Sequence, residues 1–378
     1  MTRDKSEPLL LTPGPVNISM TTRMAMLKNR ASGGEEFHAD LKHARDYMVA
    51  LVGGQGAYTA IPLPGSATYA NEAVIAALVP PGGKLLIHTN GVYGDRLIEI
   101  AAHLGKPYTA IRTPPFTPAT AAQFEAALLA DPAITHVMVV HCETSTGVLN
   151  PLETVADLCR KYTKGLLIDA VASFGAIDIN ARRLGFQAVT VSSNKCMQAA
   201  PGIGWSVVQN TALENAKGNA PSLVLDLWDQ NQHMDRTASF RFTPPTQVLA
   251  AFAQACREHE AEGGSPARLA RYQANWRRLV DGMRQMGFTT VVPDEFASPI
   301  VATFHNPADP AFSFQKLFEG MKSRGFIIFP GRLALADTFR IGCMGDLTEQ
   351  DMAEAMTAVA ETMKDMGISG FGHTDLAA

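Results

Sequence analysis

A single lysine stands out in the stretch VSSNKCMQAAPG, Val191 to Gly202. Lys195 follows an apolar run and has only small or uncharged neighbours, whereas surface lysines usually lie among other charges. One interpretation is a lysine that merely follows a strand. The other is an amine kept partly away from water and therefore available as a neutral nucleophile. Such an amine can form a Schiff base with a carbonyl compound.

An aspartate lies at the end of an earlier apolar run, as Lys195 does in its own segment. Asp169 ends the apolar stretch GLLIDA. Because ligands bind beyond the carboxyl ends of parallel strands, we expect Asp169 and Lys195 to lie at the same edge of one sheet. An isolated aspartate there could equally cap the segment that follows it. Pyridoxal phosphate chemistry requires this pair, since a lysine bonds to the aldehyde and a carboxylate keeps the pyridine nitrogen protonated.

A turn of small residues offers a phosphate site. It consists of Gly65, Ser66, Ala67 and Thr68, between a predicted strand and an amphipathic helix. Backbone N–H groups at a helix N-terminus, together with hydroxyls, bind phosphate well. The turn matches neither a Walker A loop nor GxGxxG, and such residues can also serve only as a cap. With Lys195 and Asp169 present, it would bind the phosphate of the same cofactor.

Two more strand ends carry polar or aromatic side chains. The turn NGVYG places Tyr93 between glycines, where its ring could stack on an aromatic ligand or simply pack against the turn. The segment HCETSTG offers Thr144 and Ser145 as hydrogen-bond donors. A metal site is disfavoured in HCETSTG, because neighbouring residues on a strand point to opposite faces.

The elements that position these residues form a repeating pattern. Short apolar runs alternate with amphipathic stretches, and the runs are YTAIPL, KLLIHTNG, PYTAIRT, THVMVVHC, GLLIDA, QAVTVSS and GWSVVQN. Near-continuous apolar strands separated by helices predict an α/β fold with a mostly parallel sheet covered on both faces.

After the stretch RFTPPT the predicted order is helix, helix, strand, strand, helix, strand, strand, helix. Apolar residues spaced by three or four mark the second and the last of these helices: Leu269, Tyr272, Trp276, Leu279, Met283 and Met286, then Met352, Met356, Val359, Met363 and Met366. A capping box of Thr348 and Asp351 would begin the last helix. We predict a large domain of residues 18–245 and a smaller α+β domain of residues 1–17 and 246–378, with the N-terminal arm packed on the latter.

Composition restricts the function classes. The 378 residues carry a net charge of −4 and 18% charged residues, so no basic field attracts nucleic acid or an anionic membrane, and a small-molecule partner is expected. The five cysteines form no CxxC pair, which favours reduced thiols over a zinc or disulfide framework. The apolar run near the N-terminus is too short for a signal peptide, so we expect a cytoplasmic protein.

Eight segments, in order, resemble a known family: LLLTPGP, GSATYANEAV, NGVYGDR, HCETSTGVLNP, LLIDAVASFGAI, SSNKCMQAAPG, SFRFTPPTQ and FRIGCMG. They are similar to the class V, fold type I pyridoxal phosphate-dependent aminotransferases and, within them, to the 2-aminoethylphosphonate:pyruvate aminotransferases. The resemblance extends along essentially the whole chain. It implies a homodimer with shared active sites and a fold of a large domain with a mostly parallel sheet plus a smaller domain.

The resemblance also implies cofactor contacts for ten residues: Ser66, Ala67, Thr68, Tyr93, Thr144, Asp169, Val171, Asn194, Lys195 and Thr243. Lys195 would form the Schiff base beside Asn194, and Asp169 would pair with the pyridinium nitrogen. The turn at Ser66 would bind the phosphate, and Thr243 would reach the phosphate in the partner subunit.

Other roles are implied around the ring and the substrate. Tyr93 would stack on the cofactor ring, Val171 would pack on it, and Thr144 would contact the ring oxygen. Arg340 would bind the carboxylate or phosphonate of the substrate, because a guanidinium fork matches such oxyanions.

The implied reaction is transfer of the amino group of 2-aminoethylphosphonate to pyruvate through the cofactor, which gives phosphonoacetaldehyde and L-alanine. An alanine or serine:glyoxylate aminotransferase, or a lyase using the same cofactor, is the alternative among enzymes. The alternative of another class is a catalytically silent protein that binds a phosphorylated ligand.

Overall fold

The computed structural model of the chain describes residues 7–330 and 337–368. The strands are β1 Leu9–Leu10, β2 Tyr58–Pro64, β3 Lys84–Thr89, β4 Tyr108–Arg112, β5 Ile134–Val140, β6 Cys142–Glu143, β7 Val148–Leu149, β8 Gly165–Asp169, β9 Ala188–Ser192, β10 Ile203–Gln209, β11 Val301–His305, β12 Phe326–Ile327, β13 Phe329–Pro330 and β14 Thr338–Gly342. The helices are α1 Met20–Met24, α2 Glu35–Leu51, α3 Ala67–Leu78, α4 Val92–His103, α5 Ala121–Ala130, α6 Leu152–Lys161, α7 Ala181–Leu184, α8 Asn210–Asn215, α9 Leu227–Thr237, α10 Thr246–Glu262, α11 Gly264–Gln285, α12 Phe314–Ser323 and α13 Glu349–Asp365.

The largest sheet has seven strands in the order β2-β10-β9-β8-β5-β3-β4. From β9 to β4 every neighbouring pair is parallel, which confirms the predicted mostly parallel α/β sheet. β10 is antiparallel to both β9 and β2. The connection between β9 and β10, residues 193–202, is too short for the crossover that a parallel neighbour requires, so the chain returns antiparallel. Lys195 lies in this connection.

The strands form because their residues are apolar on both faces. Every residue of β9 is buried, and the same holds for β8 apart from Gly165. Helices cover both faces of the sheet, and α3 buries nine of its twelve residues against β10 and β9. These apolar residues form the first core, which extends from Phe37 to Cys256.

A second core lies around the antiparallel sheet β11-β14-β13 and helices α11 to α13. Met283, Met352 and Met356 are fully buried there, as the helical spacing predicts. The capping box of Thr348 and Asp351 at the start of α13 is also confirmed. The N-terminal arm joins this core, because β1 pairs in parallel with β12.

The predicted order of elements in this part of the chain is wrong in two places. Two strands were expected between α11 and α12, whereas the structure has one, β11, and the preceding residues form only an isolated bridge from Thr290 to Phe304. Pro293 follows directly and has no N–H to donate to a ladder, and a 3-10 turn at Asp294–Phe296 then redirects the chain. After α12 the described residues form three short strands rather than two.

The domain boundary at residue 245 stays a prediction. α10 begins at Thr246, yet Leu249, Phe252 and Cys256 on this helix belong to the first core. In the described ranges, no helix is both long and apolar enough to cross a membrane. All five cysteines lie in those ranges, and each is a buried free thiol.

Candidate active site

Lys195 lies at the carboxyl end of β9, on the connection to β10. The side chain is half-buried, and Nζ donates a hydrogen bond to the carbonyl oxygen of Pro13 at 2.8 Å. The connection is held by local bonds, since the Ser193 hydroxyl donates to the Ala200 carbonyl at 2.7 Å and the Gln198 N–H donates to the Lys195 carbonyl at 2.9 Å. The backbone that carries the amine is therefore fixed before any ligand binds.

The N-terminal arm crosses directly over this lysine. Gly14 has φ +118°, and a Cβ built on it would overlap with Nζ, Cδ and Cε of Lys195. The arm is attached to the second core, because the Gly342 N–H donates to the Leu11 carbonyl at 2.9 Å. The space that any other residue at position 14 would fill is thus occupied by the lysine side chain.

Asp169 ends β8, the strand next to β9, and is buried. Its Oδ1 accepts the Val171 N–H at 3.0 Å, so the predicted local cap is present. Its Oδ2 accepts Nδ2–H of Asn71 at 2.7 Å. Burial raises the pKa of this carboxyl, while the two hydrogen bonds and the positive charges of Arg96 and Lys195 act in the opposite direction. Asp169 and Lys195 therefore lie at the same sheet edge and interact electrostatically.

The small-residue turn lies at the N-terminus of α3. Ser66 is the N-cap residue, but its side chain makes no capping hydrogen bond within the described chain, so its exposed hydroxyl does not serve the helix. Ala67 is buried and Thr68 is half-buried. Gly204 on β10 allows the close approach of this turn, since a Cβ there would lie 2.9 Å from the Ser66 carbonyl oxygen. The N-terminus of α3 is thereby packed closely against β10, next to the strand that leads to Lys195.

Glu143 fixes the turn that carries Tyr93. This fully buried carboxylate accepts the backbone N–H groups of Tyr93 at 3.0 Å and Gly94 at 3.1 Å, at the start of α4, and also the N–H of Ser145. Burial raises the pKa of Glu143 to about 7, and its hydrogen bonds oppose that shift. The Tyr93 ring lies on α4 with the guanidinium of Arg96 5.1 Å from its centre.

Arg340 links the two cores at the site. It lies on β14, is buried, and donates from one guanidinium nitrogen to the carbonyl oxygen of Thr144. Its guanidinium also lies 5.8 Å from the ring centre of Phe329. The predicted substrate arginine and the predicted ring contact Thr144 are therefore adjacent.

The remaining predicted site residues differ in their distance from Lys195 and Asp169 along the chain and in their exposure. Val171 and Asn194 are half-buried beside Asp169 and Lys195, and the Ser192 hydroxyl donates to the Asn194 side chain. Thr243 is exposed, between α9 and α10. Among the described residues no group of three or more His, Cys, Asp or Glu side chains is arranged to hold a metal.

Sequence reasoning did not find Asn71, Gly14 or the capping role of Glu143. The first two had a local signal: Asn71 is a polar residue within the apolar face of α3, and Gly14 lies between two prolines. Their partners are remote in sequence, which is why no local pattern identifies them.

Comparison with known proteins identifies the family of this chain. The sequence profile of the family described as aminotransferase class-V matches residues 22–315. A 2-aminoethylphosphonate–pyruvate transaminase of Cupriavidus pinatubonensis is 44% identical, with 96% of each chain covered. One from Pseudomonas putida is also 44% identical, covering 96% of this chain and 98% of its own.

Among solved structures, the fold is similar to that of an alanine–glyoxylate aminotransferase from Nostoc sp., with a TM-score of 0.88, 24% identity and 96% of each chain covered. At that identity the likeness shows the fold alone. The profile match and the relatives confirm the resemblance recognised in the sequence. The chain belongs to the class-V aminotransferase family.

Proposed function

We propose that this chain transfers the amino group of 2-aminoethylphosphonate to pyruvate, with pyridoxal phosphate as cofactor, and releases phosphonoacetaldehyde and L-alanine. One observation carries the proposal: Lys195 and Asp169 lie at the ends of adjacent strands in a chain 44% identical to transaminases named for this reaction. The glyoxylate alternative is supported only by likeness of fold.

The residues present fit pyridoxal phosphate. An ionised carboxylate has about four acceptor sites, and Asp169 uses two of them, so it can still accept from a protonated ring nitrogen. The N-terminus of α3 offers backbone N–H groups and the Ser66 hydroxyl to a phosphate. Lys195 offers the amine that bonds to an aldehyde. The chemistry of these three groups matches three polar parts of the cofactor, its ring nitrogen, phosphate and aldehyde.

Pyridoxal phosphate bound there supplies an aldehyde that takes up amines and a ring that accepts electrons. Lys195 then has two tasks: it holds the cofactor between reactions, and when released its Nζ moves the proton from the substrate carbon that bears the amine. Positioned proton transfer of this kind contributes roughly 10²- to 10⁴-fold in rate. The Pro13 carbonyl, 2.8 Å from Nζ, orients the free amine.

The other site residues bind and orient. Asp169 would balance the positive charge of the ring nitrogen, and the turn of Ser66, Ala67 and Thr68 would bind the phosphate. Asn194 would lie beside Lys195, Val171 would pack on the ring, Tyr93 would stack on it and Thr144 would contact its oxygen. Arg340 binds the anionic end of the substrate, and its burial strengthens that attraction relative to a surface arginine.

We also propose a homodimer whose active sites are shared. Thr243 is exposed in this chain, and it follows Phe242, an exposed aromatic residue. Further exposed apolar side chains lie in the segments at Met20–Met24 and Leu223–Val224. A contiguous partner surface would cover such residues and would place Thr243 against the cofactor phosphate of the partner subunit.

The test of the donor is a comparison of amines. The purified chain, loaded with pyridoxal phosphate, is given pyruvate with 2-aminoethylphosphonate, serine or taurine in turn, and alanine is measured. The proposal requires 2-aminoethylphosphonate to give the highest kcat/KM. The pair of alanine and glyoxylate is assayed in parallel through the glycine formed, and a higher kcat/KM for this pair would replace the proposal with the glyoxylate alternative. Absence of cofactor binding would favour the silent binding protein.

Gly14→Ala is expected to lower kcat by roughly 10- to 100-fold, because the added methyl group forces the end of the Lys195 side chain out of its position and a displacement of about 1 Å can cost roughly 10²-fold in rate. The matched control is Gly56→Ala. Gly56 also has a positive φ, +79°, but no described atom lies within 4 Å of an added Cβ. Steady-state kinetics on both variants would separate displacement of the lysine from backbone strain, and equal losses in the two would contradict the expected cause.

Arg340→Lys is expected to raise KM for 2-aminoethylphosphonate by roughly 10- to 100-fold with a smaller change in kcat. A lysine cannot reproduce the guanidinium fork, and a hydrogen bond to a charged group is worth about 1.5–3 kcal/mol. Arg284→Lys, in an exposed pair with Asp294, is the control that should leave KM unchanged. Substrate titrations measure both, and an unchanged KM in Arg340→Lys would remove this residue from the substrate site.

A further inference from the structure

Asn71 is placed between two buried polar groups on the face of the sheet that α3 covers. Its Nδ2–H donates to Oδ2 of Asp169 at 2.7 Å, and its Oδ1 accepts the hydroxyl of Thr190 at 2.5 Å. Asp169 and Thr190 are register partners on β8 and β9. All three side chains are at least nine-tenths buried, so water does not compete for these bonds.

The two bonds fix the orientation of the amide. An ionised carboxylate only accepts hydrogen bonds, so the NH₂ group of Asn71 faces Asp169 and Oδ1 is left to accept the Thr190 hydroxyl. A carboxylate that accepts such an N–H is stabilised in its charged form. The Thr190 hydroxyl holds Oδ1 in this orientation from β9, since its other acceptor, the Ile168 carbonyl oxygen, is more distant at 3.4 Å.

We propose that Asn71, anchored by Thr190, is a positioning residue that holds Asp169 as a correctly aimed anion for the ring nitrogen of the cofactor. This inference rests on the proposed function for the identity of the ring. It adds a task for α3, because the same helix begins at the phosphate-binding turn and reaches Asp169 one turn later. One rigid element would thus set the position of both polar ends of the cofactor.

The first test uses the protein without cofactor. Carbon-13 NMR of labelled aspartate, with the Asp169 signal assigned by Asp169→Asn, follows the titration of this carboxyl. In Asn71→Leu we expect the titration to move to higher pH, because the charged form loses one of its two hydrogen bonds. This readout does not depend on whether pyridoxal phosphate is the ligand. An unchanged titration would overturn the inference even if the proposed function holds.

The second test uses the loaded protein with nitrogen-15 in the cofactor ring. Asn71→Leu should move the ring nitrogen signal toward the unprotonated form and lower kcat by roughly 10- to 100-fold, the effect of losing a hydrogen bond to a charged group. KM should change little, since Asn71 does not touch substrate. A wild-type chain that binds no pyridoxal phosphate would contradict the proposed function and leave the carboxyl titration as the test of Asn71.

Matched variants separate positioning from packing. Thr190→Val removes only the hydroxyl that anchors the amide oxygen and should move both NMR signals in the same direction by a smaller amount. Thr190→Ser keeps the hydroxyl and should leave both signals as in the wild type. Ser206→Ala is the control, because Ser206 is the neighbour of Thr190 on β10 and its buried hydroxyl has no hydrogen-bond partner among the described residues. The inference is overturned if Thr190→Val matches Ser206→Ala, or if Asn71→Leu lowers only the thermal midpoint.

Discussion

Lys195→Ala is expected to abolish aminotransfer, with a fall in kcat of at least about 10⁴-fold. The amine both bonds to the cofactor and moves the substrate proton, and the second task alone accounts for roughly 10²- to 10⁴-fold. No other lysine can replace it, because the site is built around this side chain: Gly14 provides the space and the Pro13 carbonyl orients Nζ. Single-turnover and steady-state rates measure the loss.

Three controls make this result specific. Lys161→Ala removes an exposed lysine that pairs with Glu125, and it should leave the rate unchanged. Lys195→Arg keeps a positive charge but has no neutral amine near pH 7, so it should be as inactive as the alanine variant. Small primary amines added to Lys195→Ala should restore part of the proton transfer. Substantial activity in the arginine variant would show that charge alone is required.

Asp169→Asn is expected to lower kcat by roughly 10²- to 10³-fold and to weaken cofactor binding. The substitution keeps the shape and an oxygen that can accept from Asn71 or Val171, but it removes the negative charge. Leaving a buried charge without its partner costs about 3–5 kcal/mol, and each 1.4 kcal/mol corresponds to about tenfold. The ring nitrogen would lose its proton, so the ring would accept electrons less well.

The measurement combines kinetics with cofactor affinity. The dissociation constant for pyridoxal phosphate comes from fluorescence titration, and the protonation of the ring nitrogen comes from its NMR signal. Asp178→Asn, an exposed aspartate in a surface pair with Arg183, is the control and should resemble the wild type. Full activity and a protonated ring in Asp169→Asn would mean that another group carries the negative charge.

Much of the fold follows from the sequence because strands of a parallel sheet are apolar on both faces and have a strong local pattern. The runs that form β3, β5, β8 and β9 were identified in this way. The carboxyl ends of the neighbouring strands β8 and β9 bring Asp169 and Lys195 to the same edge of the sheet. The strand expected before β11 failed for a local reason, since Pro293 interrupts the ladder. Short strands such as β12 and β13 have too few residues for a period to be seen.

The residues that support the pair were not predictable in the same way. Pro13 and Lys195 are 182 positions apart, and Asn71 and Asp169 are 98 apart. Such contacts depend on how whole helices and strands pack against each other, so they cannot be predicted from the spacing of residues within one segment. The left-handed backbone of Gly14 and the lone polar residue on the apolar face of α3 are local signs that a partner exists, but they do not say which one.

Reduction with borohydride tests the central claim most directly. The chain is incubated with pyridoxal phosphate, reduced, digested and analysed by mass spectrometry. The proposed site predicts a stable pyridoxyl group on the peptide that contains Lys195, and none on that peptide in Lys195→Ala. A group attached reproducibly to a different lysine, or no attachment at any lysine, would contradict it.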